Sequence, residues 1–261
     1  MSREILDTVK QLINLTTFCK KVQIPFEVYA FTNDYYPVRR IKEGHPRDEY
    51  ISNDAWYEAN GCEENKIYLG KGMFHLMNFI SSRSNSKDYE RMCLNLFREA
   101  AYYVTHVGYR HTIGIGLSGT PLNEAIVMLN HIIPDFRSKN DVQKVNVCVL
   151  TDGESSQAAY GRKFYNEHKD EYYVRPRRLC ENVVLRDRKT GRVYQELDGY
   201  TSNTNTLIKQ VGDRFPMVNL IGFRIMPSSS LSKFVSHYGN QEFYHEVQKQ
   251  WKKNRSAIIP S

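Results

Sequence analysis

Lys144-Val-Asn-Val-Cys-Val-Leu-Thr-Asp-Gly-Glu-Ser155 is a short apolar run that ends abruptly at Asp152-Gly153. A run of this length and composition reads as a buried strand of the parallel type. Its end delivers a carboxylate, Asp152, to a loop at the strand's C-terminal edge. Upstream, Ser118-Gly-Thr-Pro-Leu-Asn-Glu-Ala-Ile126 sets a hydroxyl residue, Thr120, before Pro121 and an amphipathic run. Threonine at the cap and proline at the first helical position predict a helix over 121–133. A strand-end carboxylate and a helix-mouth hydroxyl are both hard oxygen donors. Together they suit Mg²⁺, which prefers oxygen ligands and keeps several waters.

Working outward, residues 2–20 place Ile5, Leu6, Val9, Leu12, Ile13 and Thr16 on one helical stripe. Residues 26–31 are β-rich and enter from Pro25. Residues 33–87 are irregular and too long for a simple connection, so they read as an insertion with short elements of its own. Residues 88–105 return to helix, with Met92, Leu96, Phe97, Ala100 and Val104 on one face and Arg91, Arg98 and Glu99 outside. Residues 155–180 are polar, aromatic and basic. Residues 182–196 read as a β-hairpin about a turn containing Asp187 and Gly191. A helix over 201–212 is expected to stop at Gly212. A buried-type strand follows from Met217 to Ile225, and residues 229–237 and 241–254 look helical.

The chain has 261 residues, 41% of them apolar and 25% charged, an ordinary globular balance. No stretch of about 18 apolar residues predicts a membrane span, and the N-terminus lacks the pattern of a secretory signal. The five cysteines, Cys19, Cys62, Cys93, Cys148 and Cys180, form no Cys-x-x-Cys pair. Their odd number argues against a disulfide framework, and a reducing cytoplasm fits. Cys19, Cys93 and Cys148 sit in apolar patterns and read as small core residues. The net charge of +7 permits an acidic partner, nucleic acid included.

Four segments carry a resemblance to a known family: Phe18-Cys-Lys-Lys-Val-Gln-Ile-Pro-Phe-Glu-Val-Tyr-Ala-Phe-Thr32, Gly119-Thr-Pro-Leu-Asn-Glu-Ala125, Val149-Leu-Thr-Asp-Gly-Glu154 and Val218-Asn-Leu-Ile-Gly-Phe-Arg224. In this order they resemble the von Willebrand factor A (VWA) domain, and within it the VWA domain of the CobT-like subunit of cobalt/magnesium chelatases, phage-encoded relatives included. The resemblance implies one α/β domain over 1–261, a Rossmann-type, mainly parallel sheet flanked by helices. It would be decorated by the insertion at about 33–87 and by a basic aromatic insertion and hairpin at about 155–198. It implies a metal-ion-dependent adhesion site with Thr120 and Asp152 as metal ligands. Ser118, Gly119, Gly153 and Glu154 would lie beside the metal where a partner binds.

The family's opening strand, ending in Asp-x-Ser-x-Ser, has no counterpart here. The chain begins as though on the residue after that motif, so the motif's aspartate and serines would precede residue 1 and the sheet would lack its central first strand. Loss of about four buried apolar side chains would remove roughly 6–12 kcal/mol, against a domain stability of about 5–15 kcal/mol. Poor stability is therefore expected.

What the resemblance implies about function is a non-catalytic, metal-dependent protein-binding module. Its metal would be Mg²⁺ or another divalent cation, completed by an acidic side chain of the partner. The partner would be a ring-forming AAA+ ATPase of the CobS/MoxR type, which would carry the ATP hydrolysis for metal insertion into a tetrapyrrole.

Blander readings stand beside these. Thr120 is also a good helix cap, and Asp152 a good strand-end turn residue. Gly70-Lys-Gly72 lacks the rest of a phosphate-binding loop and reads as a turn. His106 and His111 are not at helical metal spacing. Two rival functions remain open. One is nucleic-acid binding through Tyr160, Phe164, Tyr165, Tyr172 and Tyr173 interleaved with Arg162, Lys163, Lys169 and Arg175, where an ordinary surface insertion is the favoured reading. The other is a metal-dependent hydrolase using Asp152 and Glu154 as an acid/base pair.

Overall fold

The computed structural model describes residues 2–33, 57, 61–70, 74–105, 115–116, 119–180, 182–195, 197, 199–225, 244–254 and 256–258. The described elements, in chain order, are helix α1 (Ser2–Lys21), strands β1 (Glu27–Thr32), β2 (Ile67–Tyr68) and β3 (His75–Ser81), and helices α2 (Ser86–Thr105) and α3 (Leu122–Asn140). Strands β4 (Val145–Thr151), β5 (Ala159–Asn166), β6 (Glu171–Arg178), β7 (Leu185–Arg186) and β8 (Val193–Tyr194) follow. Helix α4 (Gly199–Arg214), strand β9 (Val218–Arg224) and helix α5 (Tyr244–Asn254) complete them. The chain is a mixed α/β protein. None of its described helices is long and apolar enough to cross a membrane. Two compact units divide it, Met1–Val149 with Gly153–Ile221, and Leu150–Asp152 with Gly222–Ser261.

In the first unit, α1 and α2 close over one core. Ile80, Tyr89 and Cys93 are buried there, with Ile13, Phe26, Val28, Met92 and Leu96 packed around them. The α1 stripe lands as expected at Val9, Ile13 and Thr16, and Thr16 accepts a hydrogen bond from Tyr89 Oη at 3.1 Å. Asn85 caps α2 reciprocally. Its Oδ1 accepts from the Asp88 N–H at 2.9 Å and its Nδ2 donates to the Asp88 carboxylate at 2.7 Å.

The larger core lies between α3 and α4. Leu122, Ile126, Leu129 and Ile133 of α3 meet Leu207 and Val211 of α4, with Ala158, Leu179 and Leu197 buried among them. Phe31 of β1, Val147 and Val149 of β4, and Val218 and Leu220 of β9 pack against this cluster.

The mainly parallel sheet is corrected by the pairing among the described strands. Only β4 and β9 run parallel: Asn219 donates to Asn146 at 2.9 Å, and the Ile225 N–H donates to Thr151 O at 2.8 Å further along both strands. Four other pairs, β1–β3, β2–β5, β5–β6 and β7–β8, are antiparallel. The reason is local. The segment read as an insertion contributes β3, which returns alongside β1, and a four-residue turn at 167–170 can join β5 to β6 only antiparallel. Among the described strands β1–β3 and β4–β9 are separate two-stranded ladders.

Three smaller expectations also change. Gly212 does not end its helix, since α4 runs on to Arg214. Cys148 and Phe97 are exposed rather than core residues. The expected helix at 229–237, His106, His111 and most of Gly70-Lys-Gly72 lie outside the described residues.

The predicted hairpin forms as β7–β8. Asp187 shapes its turn by accepting from the Lys189 and Thr190 N–H groups at 2.8 and 3.3 Å. Gly191 sits there at φ +75°, a left-handed value that favours glycine. Asp187 also accepts from Gln210 Nε2 at 2.7 Å, and Gln210 exchanges two hydrogen bonds with Asn130 at 3.0 Å each. Burial pushes the Asp187 carboxyl up, but the Gln210, Lys189 and Thr190 bonds and the Arg214 charge outweigh it and hold it below its ordinary value.

In the second unit, α5 buries Val247 against Tyr244, Trp251 and Ala257.

A tight crossing anchors β2 to β5. Gly161 donates to Lys66 O at 2.9 Å and accepts from the Asn65 N–H at 2.8 Å. A Cβ at Gly161 would come within 2.0 Å of the Glu63 carbonyl oxygen, a backbone atom that cannot swing aside. Gly161→Ala is therefore expected to destabilise the chain by about 1–3 kcal/mol. A lowered midpoint in urea unfolding would record this, and an unchanged midpoint would contradict the crossing.

Candidate metal and partner site

The site begins with how α3 starts. Threonine does not cap it: Pro121 occupies the N-cap position at φ −78°, ψ 55°, and no side chain of that residue caps the helix. The first N–H groups are satisfied from elsewhere. The Leu122 N–H turns back to Thr120 O at 2.8 Å. The Asn123 N–H donates to Ser155 Oγ at 3.0 Å, from a residue 32 positions later and just beyond β4.

Asn123, 0% exposed, extends the same clamp. Its Nδ2 donates to Ser156 O at 2.7 Å, and its Oδ1 accepts from Thr204 Oγ1 of α4 at 2.8 Å. A second buried amide, Asn203, accepts from the Ala158 N–H at 3.1 Å and donates to Leu197 O at 2.6 Å. The chain leaving β4 is thus held between two helices by fully buried amides.

Three loops of the first unit meet at this helix mouth. Gly119, before Thr120, has φ +68°, and a Cβ there would come within 2.3 Å of Asn33 Nδ2, just past β1. A Cβ at Gly153 would come within 2.8 Å of Thr120 Oγ1. Both glycines therefore allow a close approach that another residue would obstruct. Thr32 Oγ1 donates to Gly116 O at 2.9 Å and ties the end of β1 to the same loop.

Of the residues expected at the site, Thr120 and Gly153 are half-buried and in contact, while Gly119 and Glu154 are exposed. Asp152 is exposed and belongs to the second unit. Ser118 lies outside the described residues.

Two oxygens that sequence reasoning passed over stand out. Asn33 Oδ1 and Glu124 Oε2 are buried without a hydrogen-bond partner, an unusual state for polar atoms. Burial pushes the Glu124 carboxyl above its ordinary value, offset in part by a bond from its own backbone N–H. Their signal in sequence was slight: an Asn after a strand, and a Glu in a first helical turn, where a carboxylate ordinarily just favours the helix dipole.

The donors around the mouth of α3 are oxygens, the chemistry that Mg²⁺ selects. Their number is short, because nowhere among the described residues do three or more His, Cys, Asp or Glu side chains group to hold a metal. Thr120 offers its hydroxyl at the mouth of α3, and Asp152 is an exposed carboxylate of the second unit. Comparison with protein-family models, with curated proteins and with solved structures gives no match.

Two outcomes follow. Ser155→Ala should leave the buried Asn123 N–H unpaired and cost about 1–3 kcal/mol in urea unfolding; a neutral result would contradict the clamp. Glu124→Gln should act oppositely. A carboxyl raised by folding resists ionisation in the native state, so its penalty is absent below the ordinary carboxylate range, near 4.3, and grows as pH rises through the folded value. The variant should therefore be more stable than the parent at neutral pH and equal to it near pH 3. Stability curves across that range would check the sign.

Proposed function

We propose that this chain is a non-catalytic binding module of the VWA type, resembling the CobT-like chelatase subunit, which docks a partner protein at the mouth of α3. The observation that carries the reading is the packing of Gly153 against Thr120 Oγ1. It lays the loop that follows an apolar strand on the hydroxyl that precedes a helix. The parallel β4–β9 pair, with α3 and α4 packed over it, supports the same reading.

In this reading Thr120 and Asp152 hold a divalent cation, Mg²⁺ by preference. When bound, the ion supplies a coordination position that an acidic side chain of the partner can enter. The chain's own residues build the platform. Gly119 and Gly153 admit the close approach of the loops, Ser155 and Asn123 fix the loop after β4, and Glu154 is exposed beside them. The partner is a ring-forming AAA+ ATPase of the CobS/MoxR type, in which ATP would be hydrolysed. Metal insertion into a tetrapyrrole is the activity of the family that the chain resembles. Asp152 and Glu154 are both exposed, so neither lies in the desolvated pocket that tunes an acid/base pair, and no observation favours the hydrolase reading.

The test is a thermal melt of the full chain with MgCl₂ or with a chelator. Binding at about tenfold excess over Kd should stabilise the protein by about 1.4 kcal/mol. Thr120→Ala and Asp152→Ala should abolish the Mg²⁺-dependent increment while keeping the parent's circular dichroism. Melts indifferent to Mg²⁺, Mn²⁺ and chelator alike would end the metal-dependent reading.

A further inference from the structure

We propose that the β5–β6 hairpin is a docking surface for single-stranded nucleic acid, gripped by the stem face that carries Arg162, Arg175 and Arg177 beside Phe164 and Tyr173. The proposal is independent of the metal site and of the binding-module reading.

The pairing register assigns the face. Tyr160 lies opposite Arg177, Arg162 opposite Arg175, and Phe164 opposite Tyr173. These three pairs share one side of the ribbon, because alternate residues point the same way. Here no carboxylate among the described residues pairs with Arg162 or Arg177 to relieve the charge. The acids of the hairpin, Glu167, Asp170 and Glu171, sit at its tip instead, and two of them are engaged there. Lys169 pairs with Glu171 at 3.6 Å, and Tyr165 donates to Asp170 at 2.5 Å. The stem face is therefore a positive surface whose complement is an anion.

The rings decide which anion. The Arg162 guanidinium lies 5.6 Å from the centre of the Phe164 ring and that of Arg175 4.7 Å from the Tyr173 ring. The two rings stack at 5.8 Å with 17° between their planes. A guanidinium held against a ring loses less freedom when it binds. It presents forked donors to a phosphate and a flat face on which an unpaired base can stack. Successive pairs along the face are about 7 Å apart, so the grip follows an extended chain. An acidic peptide would answer the charge and leave the flat surfaces unused, and a duplex keeps its bases covered.

The experiment is fluorescence anisotropy of a labelled oligothymidine titrated with the full chain over a range of salt. We expect binding whose logarithm falls linearly with log salt. Arg162→Gln with Arg175→Gln should weaken binding by tenfold or more and flatten the salt slope by about 1.4, the release expected for two phosphate contacts on a single strand. Tyr173→Leu should weaken binding with the slope unchanged. These side chains are partly or fully exposed, and circular dichroism of each variant checks that the fold is kept. The proposal is overturned if oligothymidine does not bind, or if the double arginine variant binds as the parent does. It is equally overturned if polyglutamate or duplex DNA of equal length competes as well as the single strand, since the surface would then serve an acidic protein or any polyanion.

Discussion

A buried primary amide, that of Asn123, is the constraint from which the first unit is organised. With its own N–H on Ser155, its Nδ2 on Ser156 O and its Oδ1 on Thr204, it joins α3, the chain after β4 and α4 at one point inside the core. Such an amide is stabilising only when its partners are all in place, because each orphaned buried group costs about 1–3 kcal/mol. The requirement is restrictive in a way that apolar packing is not. Leu122, Ile126 and Leu207 could slide by a fraction of a turn and still bury their area, whereas a shift of that size would leave the amide without partners. The network therefore sets the register of α3 on α4 and the path of 155–158 between them.

This explains what could be read from the residues alone. The helical stripe of α1, the turn at Asp187 and Gly191, and the strand running into Asp152 are written in short-range patterns. Period, turn chemistry and apolar runs are local properties, and the structure carries all three. Even so, β4 is not buried on both faces as its apolar run suggests. Its burial alternates, with Val145, Val147 and Val149 turned inward and Asn146, Cys148 and Leu150 exposed. Asn146 was the residue that marked it as a strand covered on one face.

The parts that escaped reading depend on long-range partners. β3 pairs with β1 across more than forty residues of chain, and nothing in its sequence names that partner. Thr120-Pro121 has the composition of a helix cap, yet the cap comes from Ser155 through a bond that only the tertiary fold creates. The importance of Asn33 and Glu124 lies in what surrounds them, and polar residue type alone does not reveal burial. The basic aromatic stretch was visible as composition, but which rings and charges share a face follows from the register of β5 on β6.

That register traces back to the same clamp. Asn203 holds the Ala158 N–H, and the Leu179 N–H closes the root of the hairpin on Ala158 O at 2.9 Å. Both root residues are buried in the core between α3 and α4. β5 thus starts one residue beyond a fixed point, and its alternation is settled before the chain leaves the core. The loop that meets Thr120 ends at that same point, since Gly153 and Ala158 bracket the segment that Asn123 and Asn203 hold. One short stretch of chain, rigid because its polar groups are buried and paired, positions the glycine against Thr120 at one end. At the other end it sets the face on which Arg162 and Arg175 emerge. The two surfaces are chemically unrelated, one offering oxygen donors and the other guanidinium groups over rings, but they share a mechanical origin. A slip of one residue between Gly153 and Ala158 would displace the first and turn the second to the opposite side of the hairpin.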